Sequence, residues 1–289
     1  MEIWPNFFIV GAPRAGTTSL YEYLKNIVGI YMSPVKEPQY FSVNLVPENH
    51  PIRPIRDKKK YLELFEKVTD EKIIGEASAG YLSDPEAPKL IHEIAPHARI
   101  IISLRDPVER LFSHYLHRMR LGLLNASFKD VLKIELKEGI ARTNRPLDLA
   151  FGLYFDSLKT YMNIFESEQI KLLIFEEWTK NPKNTVEEIL KFLGLNYSLD
   201  GFESETYNAF RAVRGSVAQF FLTNKGVGTV AKSLMPRSVR TFLRNNILLK
   251  GGSKPTMDAE SRMTLVRFYH DDVLKLQTLL GRKLPWPNF

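Results

Sequence analysis

The sequence has no cysteine among its 289 residues. Disulfides, thiolate metal sites and a cysteine nucleophile are thereby excluded from its chemistry, and a reducing compartment is compatible with this though not required by it. Long apolar runs are missing too: no stretch approaches the roughly 18 to 20 apolar residues that a membrane-spanning helix needs. The start, Met1 to Val10, has no basic leader and too short an apolar run for a signal peptide, so the chain as given reads as soluble and cytoplasmic. Histidine is sparse, and His114 with His117 at i, i+3 lacks the further ligands of a zinc site, so no metal is expected. A strong excess of one charge is absent as well. Lys and Arg total 40 against 33 Asp and Glu, a net +7 that suits an anionic ligand but falls short of a dedicated nucleic-acid binder.

Hydrophobic residues make up 44% of the chain, enough for the core of one large domain. Short apolar runs alternate with longer helical patterns, which predicts an α/β fold with a mainly parallel central sheet flanked by helices. The strand candidates are Phe7 to Val10, Lys72 to Gly75, Arg99 to Leu104 and Lys171 to Phe175. Helices are expected over Thr17 to Lys25, from Asp106-Pro107 onward with Val108, Leu111, Phe112 and Tyr115 on one stripe, and over Pro182 to Leu193. A long one, Asp258 to Leu280, should turn Leu265, Phe268, Leu276 and Leu279 inward and stop at Gly281. No internal repeat or low-complexity tract interrupts this pattern, so residues 1–289 are expected to form a single domain. Residues 198–255 lack a clean period and are expected to be a variable lid or acceptor-facing subregion.

The first strand runs into Gly11-Ala-Pro-Arg-Ala-Gly-Thr-Thr18. A strand, a glycine turn and a helix start place consecutive backbone N–H groups around one anion, which makes Arg14, Ala15, Gly16, Thr17 and Thr18 a candidate phosphate cradle. A bare glycine turn can also close tightly with no ligand. In an ATP-binding loop of the form G-x-x-x-x-G-K-[ST] a lysine follows the second glycine; here that position is Thr17, and the basic residue is Arg14. A small-metabolite kinase and a catalytically inactive nucleotide-binding protein remain alternatives on the cradle alone.

Three stretches resemble one family. Pro13-Arg-Ala-Gly-Thr-Thr18 is similar to the 5′-phosphosulfate loop of sulfotransferases, and Ile102-Ser-Leu-Arg-Asp-Pro-Val-Glu-Arg-Leu-Phe-Ser-His-Tyr115 is similar to their 3′-phosphate motif. Lys36-Glu-Pro-Gln-Tyr-Phe41 resembles a segment of heparan sulfate N- and 3-O-sulfotransferases and their bacterial relatives. The resemblance covers roughly residues 7–195 and 250–289. It implies the P-loop-containing sulfotransferase fold, with 3′-phosphoadenosine 5′-phosphosulfate as cosubstrate and a hydroxyl or amine of a saccharide or other small molecule as acceptor. It assigns Arg105 and Ser113 to the 3′-phosphate, Glu37 to the general base, Arg14 to the leaving group and His117 to the reaction centre. Tyr207 is placed by analogy beside the adenine, and Lys250, Gly251, Gly252, Ser253 and Lys254 in a loop over the nucleotide, where glycine replaces the family's arginine.

Two departures matter. Arginine stands at position 14, where the heparan enzymes typically have lysine; it stabilises charge but does not give up its proton, its pKa being above about 12. The active-site lysine expected directly after Glu76 is Ala77. For Glu37, partial burial beside Tyr40 and Phe41 would raise the pKa toward that of a useful base, whereas Lys36 and Arg14 would lower it.

Overall fold

A computed structural model describes residues 2–43, 54–121, 123–139, 147–195, 199 and 255–289. Five parallel strands form its sheet: β1 (Phe7–Gly11), β2 (Ile30–Met32), β3 (Ile73–Ala77), β4 (Arg99–Leu104) and β5 (Ile170–Ile174), in the order β2-β3-β1-β4-β5. Among the described residues the helices are α1 (Thr17–Lys25), α2 (Lys58–Leu62), α3 (Ala87–Ile94), α4 (Pro107–Arg120), α5 (Phe128–Glu138), α6 (Phe155–Ile164), α7 (Phe175–Trp178), α8 (Pro182–Phe192) and α9 (Ala259–Leu280). All four expected strands are present within two residues. The edge strand β2 was not foreseen, because three residues are too few to display a period.

Every side chain of β1 is buried, as a central parallel strand requires. Alternation divides them between two cores. Phe8 and Val10 join Ile100, Ile102 and Leu104 under α3, α4, α6 and α9, while Phe7 and Ile9 join Ile101 and Leu173 under α1 and α8. Leu20 and Leu24 of α1 and Val186, Ile189 and Leu190 of α8 cover this second face.

The helix starts carry the caps their sequences announce. Asp106 accepts from the N–H groups of Val108 and Glu109 at 2.9 and 3.3 Å, and Asp258 accepts from Ser261 at 2.9 Å. Gly281, in the left-handed conformation, ends α9. The inward face of α9 needs a correction. Leu265 and Leu276 are buried as expected, but Tyr269 and Val273 complete the stripe, while Phe268 and Leu279 are only half-buried. Phe268 instead lies edge-on to the Tyr269 ring at 4.9 Å. No helix among the described residues is long and apolar enough to cross a membrane.

Candidate active site

The parallel strands all present their carboxyl ends on one edge, and after β1 the chain builds β2 and β3 on one side of it before crossing to β4 on the other. Ligands of open α/β sheets bind at such a switch point. Along this edge lie the Glu37 segment over β3, the turn of residues 12–16 over β1, and Arg105 over β4.

The turn is pinned from β4. Ala12 N–H donates to the Ser103 carbonyl at 2.6 Å, and Ser103 Oγ donates to the Ala15 carbonyl at 2.7 Å while accepting from Trp178 Nε1 at 3.0 Å. Gly16 has φ 83°, and a Cβ there would lie 2.2 Å from the Trp178 ring, so both backbone and packing demand glycine. Arg14 is also left-handed, at φ 70°. The first turn of α1 has neither a side-chain cap nor an acidic residue, leaving the positive end of the helix without a local counter-charge.

Two arginines converge beside this turn. Arg105 Nη1 donates to the Arg14 carbonyl at 3.1 Å, and its guanidinium lies 4.6 Å from the Phe175 ring centre. Arg14 Nε donates to Ser113 Oγ at 3.3 Å, which ties the loop after β1 to the second turn of α4. Among the described residues, neither Arg14 nor Arg105 belongs to an ion pair. Burial pulls the Arg14 guanidinium down to about 10, and the neighbouring charges of Arg120, Arg105 and Arg110 act in the same direction. Burial lowers Arg105 as well, against Glu176 and Glu109. Arg14 and Arg105 are each half-buried, and Glu176, Glu109 and Asp106 act on Arg105 without a direct ion pair among the described residues, so an anion placed between the two guanidinium groups would be favoured. Arg14 links the two sides of the site, through its Nε to Ser113 and through its carbonyl to Arg105, so both guanidinium groups and Ser113 lie beside the α1 N-terminus.

The β4–α4 turn that carries Arg105 is locked from the chain's end. Asn288 Nδ2 donates to Asp106 Oδ2 at 2.7 Å, and Glu176 accepts from both Asp106 N–H and Trp286 Nε1. His117 lies one turn beyond Ser113. Burial pushes its imidazole down to about 4, with Arg14, Arg120 and Arg118 adding to the effect, so the ring is neutral near pH 7. Arg120 Nη2 lies 3.1 Å from His117 Nδ1. A guanidinium can only donate, so Nδ1 accepts and Nε2 carries the proton.

Glu37 stands at φ 63° and Gln39 at φ 55°, both left-handed without being glycine. The Glu37 carboxylate is one-fifth exposed and has three partners: Lys36 Nζ at 2.5 Å, Gln39 Nε2 at 2.7 Å and Ala79 N–H at 2.9 Å. Tyr40 and Phe41, expected to shield it, pack chiefly on Tyr61 and Tyr81. Ala77, at the position of the expected lysine, is buried at the end of β3.

Arg14, Ala15, Gly16, Thr17, Thr18, Arg105, Ser113 and His117 thus come together, with Glu37 over the neighbouring strand. Tyr207 and Lys250, Gly251, Gly252, Ser253 and Lys254 lie outside the described residues, as do nearly all of residues 198–255. Sequence reading missed Ser103 and Trp178, which hold the turn from below: Ser103 lies within the Ile102 to Tyr115 stretch but carries no role there, and Trp178, in a four-residue helix, shows no periodic signal.

The fold and this edge are of the P-loop type, with arginines beside the turn and Thr17 where an ATP-binding loop has lysine. Residues 5–273 match the model of the sulfotransferase domain, and the chain belongs to that family. It is 28% identical over 245 residues to human carbohydrate sulfotransferase 15, covering 66% of this chain and 44% of that protein. Against human bifunctional heparan sulfate N-deacetylase/N-sulfotransferase 2 it is 28% identical over 289 residues, covering 96% of this chain and 30% of the relative. The chain therefore spans less than half the length of these relatives. The crystal structure of a sulfotransferase from Alicyclobacillus acidocaldarius superposes with a TM-score of 0.73 at 29% identity, covering 98% of each chain. Mouse sulfotransferase SULT7A1 complexed with PAP shares the fold, with a TM-score of 0.53 at 14% identity.

Proposed function

We propose that the chain transfers a sulfuryl group from 3′-phosphoadenosine 5′-phosphosulfate to a hydroxyl or amine, with a saccharide as the favoured acceptor class. The observation that carries this reading is the pair of half-buried arginines, Arg14 and Arg105, which make no direct ion pair among the described residues and stand beside the uncapped start of α1. Backbone N–H groups of Gly16, Thr17 and Thr18 would take the 5′-phosphosulfate, while Arg105 and Ser113 would take the 3′-phosphate. Carbohydrate and heparan sulfate relatives support the acceptor class.

In the reaction the acceptor oxygen or nitrogen bonds to sulfur as the bridging S–O bond breaks, and the 3′,5′-bisphosphate leaves. Glu37 takes the acceptor's proton; its fixed partners, Gln39 and Ala79, hold one carboxylate oxygen and leave the geometry defined before substrate arrives. Arg14 stabilises negative charge on the departing oxygen without transferring a proton. His117 contributes an Nε2–H donor rather than an acid, because burial and the neighbouring arginines keep it neutral.

Calorimetry of Arg105→Ala tests the nucleotide assignment. Affinity for 3′,5′-bisphosphoadenosine should fall roughly 10- to 100-fold, and affinity for the analogue lacking the 3′-phosphate should change little. Equal losses for both would remove Arg105 from the 3′-phosphate, and absence of any nucleotide binding by the wild-type chain would overturn the donor assignment. Magnesium-dependent ATP turnover would point instead to a kinase.

A further inference from the structure

Glu76 is wholly buried in β3 and has no place in the chemistry above. Its Oε2 accepts two hydrogen bonds, from Tyr61 Oη at 2.7 Å and from Tyr81 Oη at 3.0 Å. Both phenols then reach the segment that carries Glu37. Tyr81 Oη accepts the Phe41 N–H at 3.2 Å, and the Tyr61 ring stacks on Tyr40 with centres 4.1 Å apart and planes 13° from parallel.

The residues after Glu76 supply the remaining tethers. Glu37 N–H donates to the Ala77 carbonyl at 2.9 Å, Gln39 N–H donates to Ser78 Oγ at 3.1 Å, and Ala79 N–H donates to Glu37 Oε2 at 2.9 Å. Residues 37–41 therefore hang on residues 76–81 at each of these points. Such tethering is needed, because two non-glycine residues in the left-handed region relax unless the surroundings over-determine them.

We propose that Glu76 is a positioning residue: by fixing the hydroxyls of Tyr61 and Tyr81 it holds the Glu37 carboxylate where it can take the acceptor's proton. The inference rests on the reading of Glu37 as the base. A shared acceptor is what the site requires, since facing an apolar side chain the O–H of each buried phenol would lose its acceptor. Burial pushes the Glu76 carboxyl up to about 7, the hydroxyls of Ser78, Tyr61 and Tyr81 pull against this, and the charge on Glu37 adds to it. Oε2 accepts from both phenols whether or not Oε1 holds a proton, so the tether persists through that change.

The test compares Glu76→Gln, Glu76→Leu and the double variant Tyr61→Phe/Tyr81→Phe in transfer rate, in calorimetric affinity for 3′,5′-bisphosphoadenosine, and in crystal structure. Glu76→Leu and the double variant should lose about 100-fold in kcat through misplacement of the base. Bisphosphate affinity should stay within about twofold, and Glu76→Gln, which keeps a carbonyl acceptor, should recover kcat to within about threefold of wild type. In the two damaged variants the contact from Ala79 N–H to Glu37 Oε2 should open beyond about 3.5 Å. The double variant keeps both rings and stands in if Glu76→Leu does not fold. Wild-type kcat with the contact intact in the damaged variants would overturn the proposal, as would a loss in Glu76→Gln as large as in Glu76→Leu. Glu37→Gln is the separate control: full transfer there would remove the base assignment, while the crystallographic contact still reports on the tether.

Discussion

Arg14 combines a left-handed backbone, a half-buried guanidinium and the lack of an ion-pair partner among the described residues, all of which work against folding. In the proposed function their common compensation is the binding of an anion. Arg14→Met should therefore fold at least as stably as wild type, by up to about 1 to 2 kcal/mol in urea unfolding. The same variant should lose the rise in Tm that 3′,5′-bisphosphoadenosine confers on wild type. Lower stability together with an intact ligand-induced shift would contradict this assignment. Glu76 makes the opposite kind of prediction, about pH. Its carboxyl lies near 4.5 when free and near 7 when folded, so the folded state keeps a proton that the unfolded state has released. Stability is accordingly lost as pH rises through this window. Glu76→Gln has no such proton, so its stability relative to wild type should improve by about 2 to 3 kcal/mol between pH 5 and pH 8. A difference independent of pH would show that the carboxyl titrates normally. At this scale the sequence exposed Arg14, Arg105, Ser113 and Glu37, because each stands in a motif of defined spacing. Glu76 was visible only as a neighbour of a missing lysine, since burial and hydroxyl partners come from β3, α2 and the turn after β3 together.

The turn between β1 and α1 has its shape set by elements remote in sequence. Ser103 of β4 and Trp178 of α7 close it from beneath, and Trp178 occupies the volume into which any side chain at position 16 would project. Gly16→Ala should destabilise the fold by about 1 to 3 kcal/mol and weaken nucleotide binding, both read in one thermal titration. A variant with wild-type Tm would mean that Trp178 swings aside freely. The helices were legible where capping residues or an unbroken stripe announced them, as in α1, α4 and α8. The edge strand β2 was too short for its period to register, and on α9 alternation by four residues brought Tyr269 and Val273, rather than Phe268 and Leu279, onto the buried face.

Across the whole molecule, the chain's end supports the site nearest its start. Trp286 is buried with its indole N–H on Glu176, and Asn288 holds Asp106, so the last four residues brace the turn that presents Arg105. Removing residues 286–289 should cost about 3 to 5 kcal/mol, mostly from the lost indole, and should weaken 3′-phosphate binding more than a surface truncation would. Unfolding and calorimetry on the truncated chain would check both, and wild-type stability would refute the bracing role. From the sequence alone came the class of fold, the phosphate cradle and the family resemblance, because strand–helix alternation and glycine spacing are local properties of the chain. Tertiary structure alone decided that Arg14 and Arg105 stand together with no direct ion pair among the described residues, that His117 is held neutral, and that the Glu37 segment hangs from Glu76, Ser78 and Ala79. These depend on burial and on distances between strands that are neighbours in the sheet but far apart along the chain, which no pattern of residues records.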